Sequence, residues 1–167
     1  MNHHERAGIE LSHASEADNS QPPRKRVLVV DADPSVRQML TRVLLDEGYS
    51  VWAAANGIAA LEIAAVANIE VVLLDLNLPD KSGWDTFLRL TSGNPSLIVV
   101  VIGDRSNQAL TGAGSGVGAL FEKPLNFSKL LQAISELLAE SAESRRARAA
   151  DFYRPQPKPR EQRIKRA

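Results

Sequence analysis

Val71-Val72-Leu73-Leu74-Asp75-Leu76-Asn77-Leu78-Pro79-Asp80-Lys81-Ser82-Gly83 is the stretch on which the fold turns. An apolar run ends on a carboxylate, and proline and glycine follow before the next periodic segment. That order predicts a strand over 71–75 and a helix near 84–90.

Working outward, Val27-Leu28-Val29-Val30 reads as a second short strand, apolar and β-branched enough to be buried on both faces. Asp33-Pro34 then supplies a helix N-cap followed by proline at the first helical position. Val36, Met39, Leu40, Val43 and Leu44 recur at helical spacing until Gly48 stops them. The alternation continues with strands over 50–54, 97–102 and 119–122, a helix over 58–67 and a weaker one near 107–111. A long helix runs from Phe127 to about Ala139, capped by Asn126, with Phe127, Leu130, Leu131, Ile134, Leu137 and Leu138 on its buried face. Strands alternating with helices predict an α/β fold built on a doubly wound five-stranded parallel sheet with helices on both faces, since parallel neighbours need crossover helices.

Composition bounds the rest. A chain of 167 residues at 44% hydrophobic content supports one core of ordinary size plus tails. The absence of cysteine excludes disulfides and thiolate metal sites. The polar start does not read as a secretion signal, and no apolar run approaches the roughly 18 residues needed to span a bilayer, so a cytoplasmic location is expected. Zero net charge conceals an asymmetry: residues 145–167 carry nine Lys/Arg against two Asp/Glu, leaving an acidic body ahead of them. Residues 1–25 are expected to be a disordered arm, 26–140 the folded domain, and 141–167 an extension of the last helix leading into a basic tail with Pro155, Pro157 and Pro159.

In doubly wound sheets the functional crevice lies at the carboxyl ends of the strands. Asp31-Ala32-Asp33, Asp75, Gly103-Asp104 and Lys123-Pro124 fall there. Carboxylates grouped at neighbouring strand ends repel unless a cation joins them, which points to a hard metal, Mg²⁺ by preference, with Lys123 alongside. A carboxylate so placed can attack a phosphoryl donor, because both cations neutralise charge on the transferring oxygens.

These residues resemble the receiver domains of two-component response regulators. Three blocks carry the resemblance, which covers roughly 26–139: Val27 to Arg37, Asp75-x-x-x-Pro79-x-x-x-Gly83 within the opening stretch, and Leu120-Phe121-Glu122-Lys123-Pro124-Leu125. It implies a flavodoxin-like sheet of strand order 2-1-3-4-5 and phosphorelay signalling through protein contacts. In that reading Asp75 is the phosphoacceptor, Asp31 an acidic-pocket residue, Asn77 a Mg²⁺ ligand through its backbone carbonyl, and Lys123 the phosphoryl contact. It also implies a cis Lys123–Pro124 bond, a sensor histidine kinase or phosphotransfer protein as donor, a downstream protein as target, and no enzymatic activity beyond self-catalysed transfer to Asp75 and its hydrolysis.

The sequence departs from the family pattern at three positions. Ala32 stands where the family has a second metal-ligating acid. Asp33 could replace that ligand, but its place before Pro34 favours capping. Gly103 stands where a Ser or Thr hydroxyl meets the phosphoryl group, with Asp104 adding charge beside it. Leu120 stands where an aromatic ring responds to that hydroxyl. Losing both partners of one switch predicts an altered transition, and leaves a phosphorylation-independent pseudo-receiver as the alternative. Gly112, Gly114, Gly116 and Gly118 predict a short or loose helix before the last strand.

Other motifs read blandly. Gly114 to Ala119 matches a loose dinucleotide fingerprint but precedes a strand instead of following one, so a nicotinamide-dependent enzyme is disfavoured. Trp84, Phe87, Phe121 and Phe127 read as packing residues, and His3, His4 and His13 as solvated. The basic tail is either a solubilising segment or a dock for nucleic acid, anionic lipid or an acidic protein surface.

Overall fold

The computed structural model describes residues 22–80, 82–104 and 116–152, with side chains to Ala150. The expected arm up to Gln21, the helix near 107–111, Gly112, Gly114 and the proline-containing tail lie outside the described residues.

Five strands, β1 (Arg26–Val30), β2 (Ser50–Ala54), β3 (Val71–Asp75), β4 (Ile98–Gly103) and β5 (Ala119–Glu122), form one sheet. Their order is β2-β1-β3-β4-β5 with every neighbouring pair parallel. The helices are α1 (Pro34–Asp46), α2 (Gly57–Val66), α3 (Gly83–Gly93), α4 (Phe127–Ala139) and α5 (Ala142–Phe152).

The period-two alternation of the strands splits the core into two layers. Val27, Val29, Val71, Leu73, Ile98, Val100 and Ile102 face Leu40 and Leu44 of α1 and Leu130, Ile134 and Leu137 of α4. Leu28, Val30, Val72, Leu74, Val99 and Val101 face Ala60 of α2 and Phe87 and Leu90 of α3. All of β3 and β4 is buried, as the apolar runs require. Each Val or Leu so covered is worth about 1.5–3 kcal/mol of transfer free energy.

The caps follow the sequence. Asp33 accepts a bond from Ser35 N with Pro34 in the first turn, Asn126 caps α4 by accepting from Lys129 N, and Gly48 adopts a left-handed φ of 85° beyond α1. Two caps lacked a sequence reading: Asn56 accepts from Ala59 N at α2, and Ser82 accepts from Asp85 N at α3.

Three details differ from the sequence reading. Met39 sits on the exposed side of α1, because Leu40 and Leu44 take the buried stripe. The expected extension over 141–150 is helical from Ala142, but as a separate helix, α5. Glu140 turns extended at ψ 148°, and the Ser141 hydroxyl accepts from Ser144 N, starting α5 afresh. Gly118 breaks no helix; it enters β5 where an added Cβ would press on Leu137 Cδ1 at 3.1 Å and Val99 O at 3.2 Å. No helix among the described residues is long and apolar enough to cross a membrane.

Candidate functional site

Parallel strands deliver their carboxyl ends to one edge of the sheet, and β1 and β3 are neighbours there. Asp31, the first residue beyond β1, extends the ladder by donating its N–H to Ala54 O at 3.2 Å. Its carboxylate, 2% exposed, accepts from Asp33 N at 2.8 Å through Oδ1. Asp75 ends β3 and repeats the device, Oδ1 accepting from Asn77 N at 2.8 Å. Each carboxylate is thereby locked by the backbone two residues on, which leaves Oδ2 facing the crevice.

Lys123 arrives from the end of β5. Its backbone N–H donates to Gly103 O at 3.0 Å, and the bond to Pro124 is cis. Nζ donates to Asp75 Oδ2 at 2.7 Å and Asp31 Oδ2 at 3.0 Å, so one ammonium joins two buried carboxylates. Burial pushes the Asp31 carboxyl above its ordinary range, against the backbone bond from Asp33 and the Lys123 ammonium. For Lys123 burial works the other way, but the bonds to Asp75 and Asp31 outweigh it and raise the ammonium above its usual value.

The structure therefore brings together Asp31, Asp75 and Lys123, with Asn77 at the rim. It assigns Asp33 to its cap: Oδ1 is engaged by Ser35 N at 2.8 Å and the residue is exposed. Ala32 is exposed on the same turn and contributes no donor. Across the crevice Gly103 ends β4 without a side chain and Leu120 is 40% exposed on β5. Asp104 is exposed, its Oδ2 lying 3.5 Å from Asn77 Nδ2.

A magnesium ion needs hard oxygen donors and keeps several waters, so a partial protein shell suffices. The Asp31 and Asp75 carboxylates, which meet at one ammonium, are hard oxygen donors, and each carboxylate oxygen retains a lone pair beyond the bonds described. Two carboxylates suit such an ion, though among the described residues no third acid joins them, since Ala32 stands beside Asp31.

Two supporting residues, Arg37 and Asp80, had no role in the sequence reading, and a third, Gly83, was read only as part of its motif. Arg37 Nη1 donates to Asp31 O at 2.7 Å and Ala32 O at 2.9 Å, tying the β1–α1 turn to α1. The Asp80 carboxylate accepts from Gly57 N and Ile58 N, both at 2.9 Å, placing charge on the amino end of α2. Gly83 lies where an added Cβ would sit 2.3 Å from Leu76 Cα and 2.7 Å from Asp75 O. For Gly83 the signal was its fixed spacing from Asp75; for Asp80 there was none, because its partners lie 23 and 22 residues away. The cleft of 370 Å³ between α2 and α3, lined by Leu61, Ala64, Ile69, Leu90 and Leu97, is elsewhere and takes no part.

Comparison with known proteins identifies the family. The model of the response regulator receiver domain matches residues 27–135. The probable transcriptional regulatory protein TcrX of Mycobacterium tuberculosis is 32% identical over 114 residues, 67% of this chain and 49% of that protein. The chain spans about half the length of the curated relatives it matches. Among solved structures, a CheY-like receiver domain protein from Methanospirillum hungatei JF-1 superposes with a TM-score of 0.65 at 26% identity, covering 70% of this chain and 94% of that one. The response regulator TrrA from Thermotoga maritima, solved with Mg²⁺-BeF, gives 0.63 at 27% identity, covering 68% and 98%. A five-stranded 2-1-3-4-5 parallel sheet, an acidic crevice closed by lysine and a family match over most of the folded residues lead to one conclusion: the chain belongs to the response regulator receiver domain family.

Proposed function

We propose that this domain accepts a phosphoryl group on Asp75 in two-component signalling, from a histidine kinase or phosphotransfer protein, and passes the signal to a downstream protein. One observation carries the reading: a single ammonium, Lys123 Nζ, sits 2.7 Å from Asp75 Oδ2 and 3.0 Å from Asp31 Oδ2. In the transfer an Asp75 oxygen forms the O–P bond, the bond from phosphorus to the donor nitrogen breaks, and the donor leaves with the electron pair and is reprotonated. Lys123 turns from its carboxylate partners toward the new phosphoryl oxygens, and Asp31 stays in place through its bond from Asp33 N. Magnesium, held by Asp31, Asp75 and the Asn77 carbonyl, would supply charge neutralisation. Asp75 phosphorylation and its hydrolysis are the domain's own chemistry, outside ordinary turnover.

Ala32 and Gly103 favour a second reading, a pseudo-receiver that binds its partner without phosphorylation. The two separate on incubation with acetyl phosphate or beryllofluoride, with and without Mg²⁺, followed by intact mass and fluorine NMR. Mg²⁺-dependent modification that vanishes in Asp75→Asn supports the first. No modification of the wild type at saturating Mg²⁺ assigns the second.

A further inference from the structure

Helix α2 is almost without charge. Glu62 is the single charged residue between Gly57 and Val66, and every other residue there is apolar or glycine. A helix apolar on all sides belongs under cover on all sides, yet the sheet and α3 cover only part of this one. Ala60 faces the sheet, while Ile58 is 50% and Val66 82% exposed. Ile58, Glu62, Ala65 and Val66 follow the i, i+4, i+7, i+8 spacing of one helical stripe, and all four are exposed.

Helix α3 lies alongside and in step. Asp80, just before α3, accepts from Gly57 N and Ile58 N in the first turn of α2, so both helices start at the same pole of the sheet. Leu61 and Ala65 of α2 and Arg89 and Gly93 of α3 line the 370 Å³ cleft between them. Glu62 is the sixth residue of α2 and Arg89 the seventh of α3, so the two charges stand level across the cleft. Within the chain Arg89 Nε pairs instead with Asp85, at 3.2 Å, and the arginine side chain is 58% exposed. A guanidinium has five N–H donors, so its fork can take a second carboxylate.

From this exposed apolar stripe with level, opposite charges beside it we infer that the α2–α3 face is a self-association surface whose partner is a second copy of the chain. A two-fold axis running along the cleft sets α2 of each copy over α3 of the other, with the helices in the same direction. Glu62 then meets the partner's Arg89, and the symmetry makes the same pair twice, as an isologous interface requires. The same level places Ile58 over the partner's Trp84 and Val66 over the partner's Ser92, so the stripe is covered from end to end. A central acid does not suit a phosphate array or an anionic lipid surface, whereas one acid level with one base complements a copy of itself. Two helices of about 15 Å side by side make a small face. The dimer is therefore reversible, with a dissociation constant on the order of 100 μM.

Sedimentation equilibrium of the full chain from about 10 to about 500 μM, without Mg²⁺ or phosphoryl donor, tests this. The chain should be mostly monomer at the low end and mostly dimer at the high end. Val66→Lys, Glu62→Arg and Arg89→Glu should each weaken association by about 10-fold or more, with circular dichroism verifying the fold of each variant. Combining Glu62→Arg with Arg89→Glu exchanges the charges and should bring association back to within about 3-fold of the wild type. The inference is overturned by a wild type that stays monomeric at the highest concentration, by association that Val66→Lys or Glu62→Arg leaves unchanged, or by a double variant as weak as the single ones.

Discussion

The two sides of the crevice are built to different standards. On the β1–β3 side two buried carboxylates are each locked by a backbone N–H and share one ammonium at 2.7 and 3.0 Å. On the β4–β5 side Gly103 offers no side chain, Leu120 is exposed and Asp104 leans toward Asn77. The difference separates two functions that the family combines: holding an acceptor in place, and reporting its state through a hydroxyl and a ring. The acceptor half is tied into the fold, since Asp31 and Asp75 are buried and cannot be left without partners. On the reporting side Leu120 and Asp104 face solvent, where substitution costs little stability, while Gly103 is buried at the end of β4.

The most damaging way to break this contrast is Gly83→Ala. A methyl 2.3 Å from Leu76 Cα forces the backbone after β3 to move, and we expect about 3 kcal/mol lost in urea unfolding together with loss of Asp75 modification. Lys123→Ala strips the shared ammonium and should cost about 3 kcal/mol at neutral pH, the low end for breaking a buried ion pair because Lys123 is 27% exposed. Adding Asp75→Asn to that variant should restore much of the loss, as one of the two orphaned charges is then gone.

Ala32→Asp sharpens the comparison from the other side. The position is exposed on the β1–α1 turn, so a carboxylate fits there. It should tighten Mg²⁺ by about 10-fold, or 1.4 kcal/mol, in calorimetric titration, the order that one ligand-shell partner contributes. An unchanged affinity would mean that the site cannot use a third acid.

The smallest effect is expected of Asp31→Asn. Burial raises the folded carboxyl above its unfolded value, so the folded state binds the proton more tightly. That contribution is fully present below the unfolded pKa and is lost as pH rises through the folded one, which makes the Asp31 charge a burden at neutral pH. The asparagine keeps the acceptor for Asp33 N and should raise the urea midpoint slightly at pH 7, with the gain shrinking toward pH 3. Mg²⁺ affinity should fall in the same variant, which marks the acid as kept for binding and not for stability.

Much of this was legible in the chain. The strand over 71–75 was read to the residue because a strand buried along its whole length needs a continuous apolar run, and the half-buried edge strands over 50–54 and 119–122 were read to the same bounds. Asp33-Pro34 and Asn126 marked helix starts for local reasons that survive in any fold. Met39 was misplaced because helical periodicity alone leaves the edges of the apolar stripe undefined. The break at Glu140–Ser141 went unread because neither residue is a strong helix breaker; it is made by the Ser141 cap and by Arg145 reaching back to Leu138 O and Glu140 O.

The sequence by itself determined the fold class, the residues at the strand ends and the absence of a second acid and a hydroxyl, since these depend on residue type and on periodicities of two and 3.6. Only the tertiary structure decided which Asp31 and Asp75 oxygens share Lys123, that Asp33 is spent on its cap, that Asp80 anchors α2, and that Gly83 leaves room for the chain after Asp75. Those contacts join residues up to 92 positions apart, and no local pattern encodes where such partners meet until the sheet brings their strand ends together.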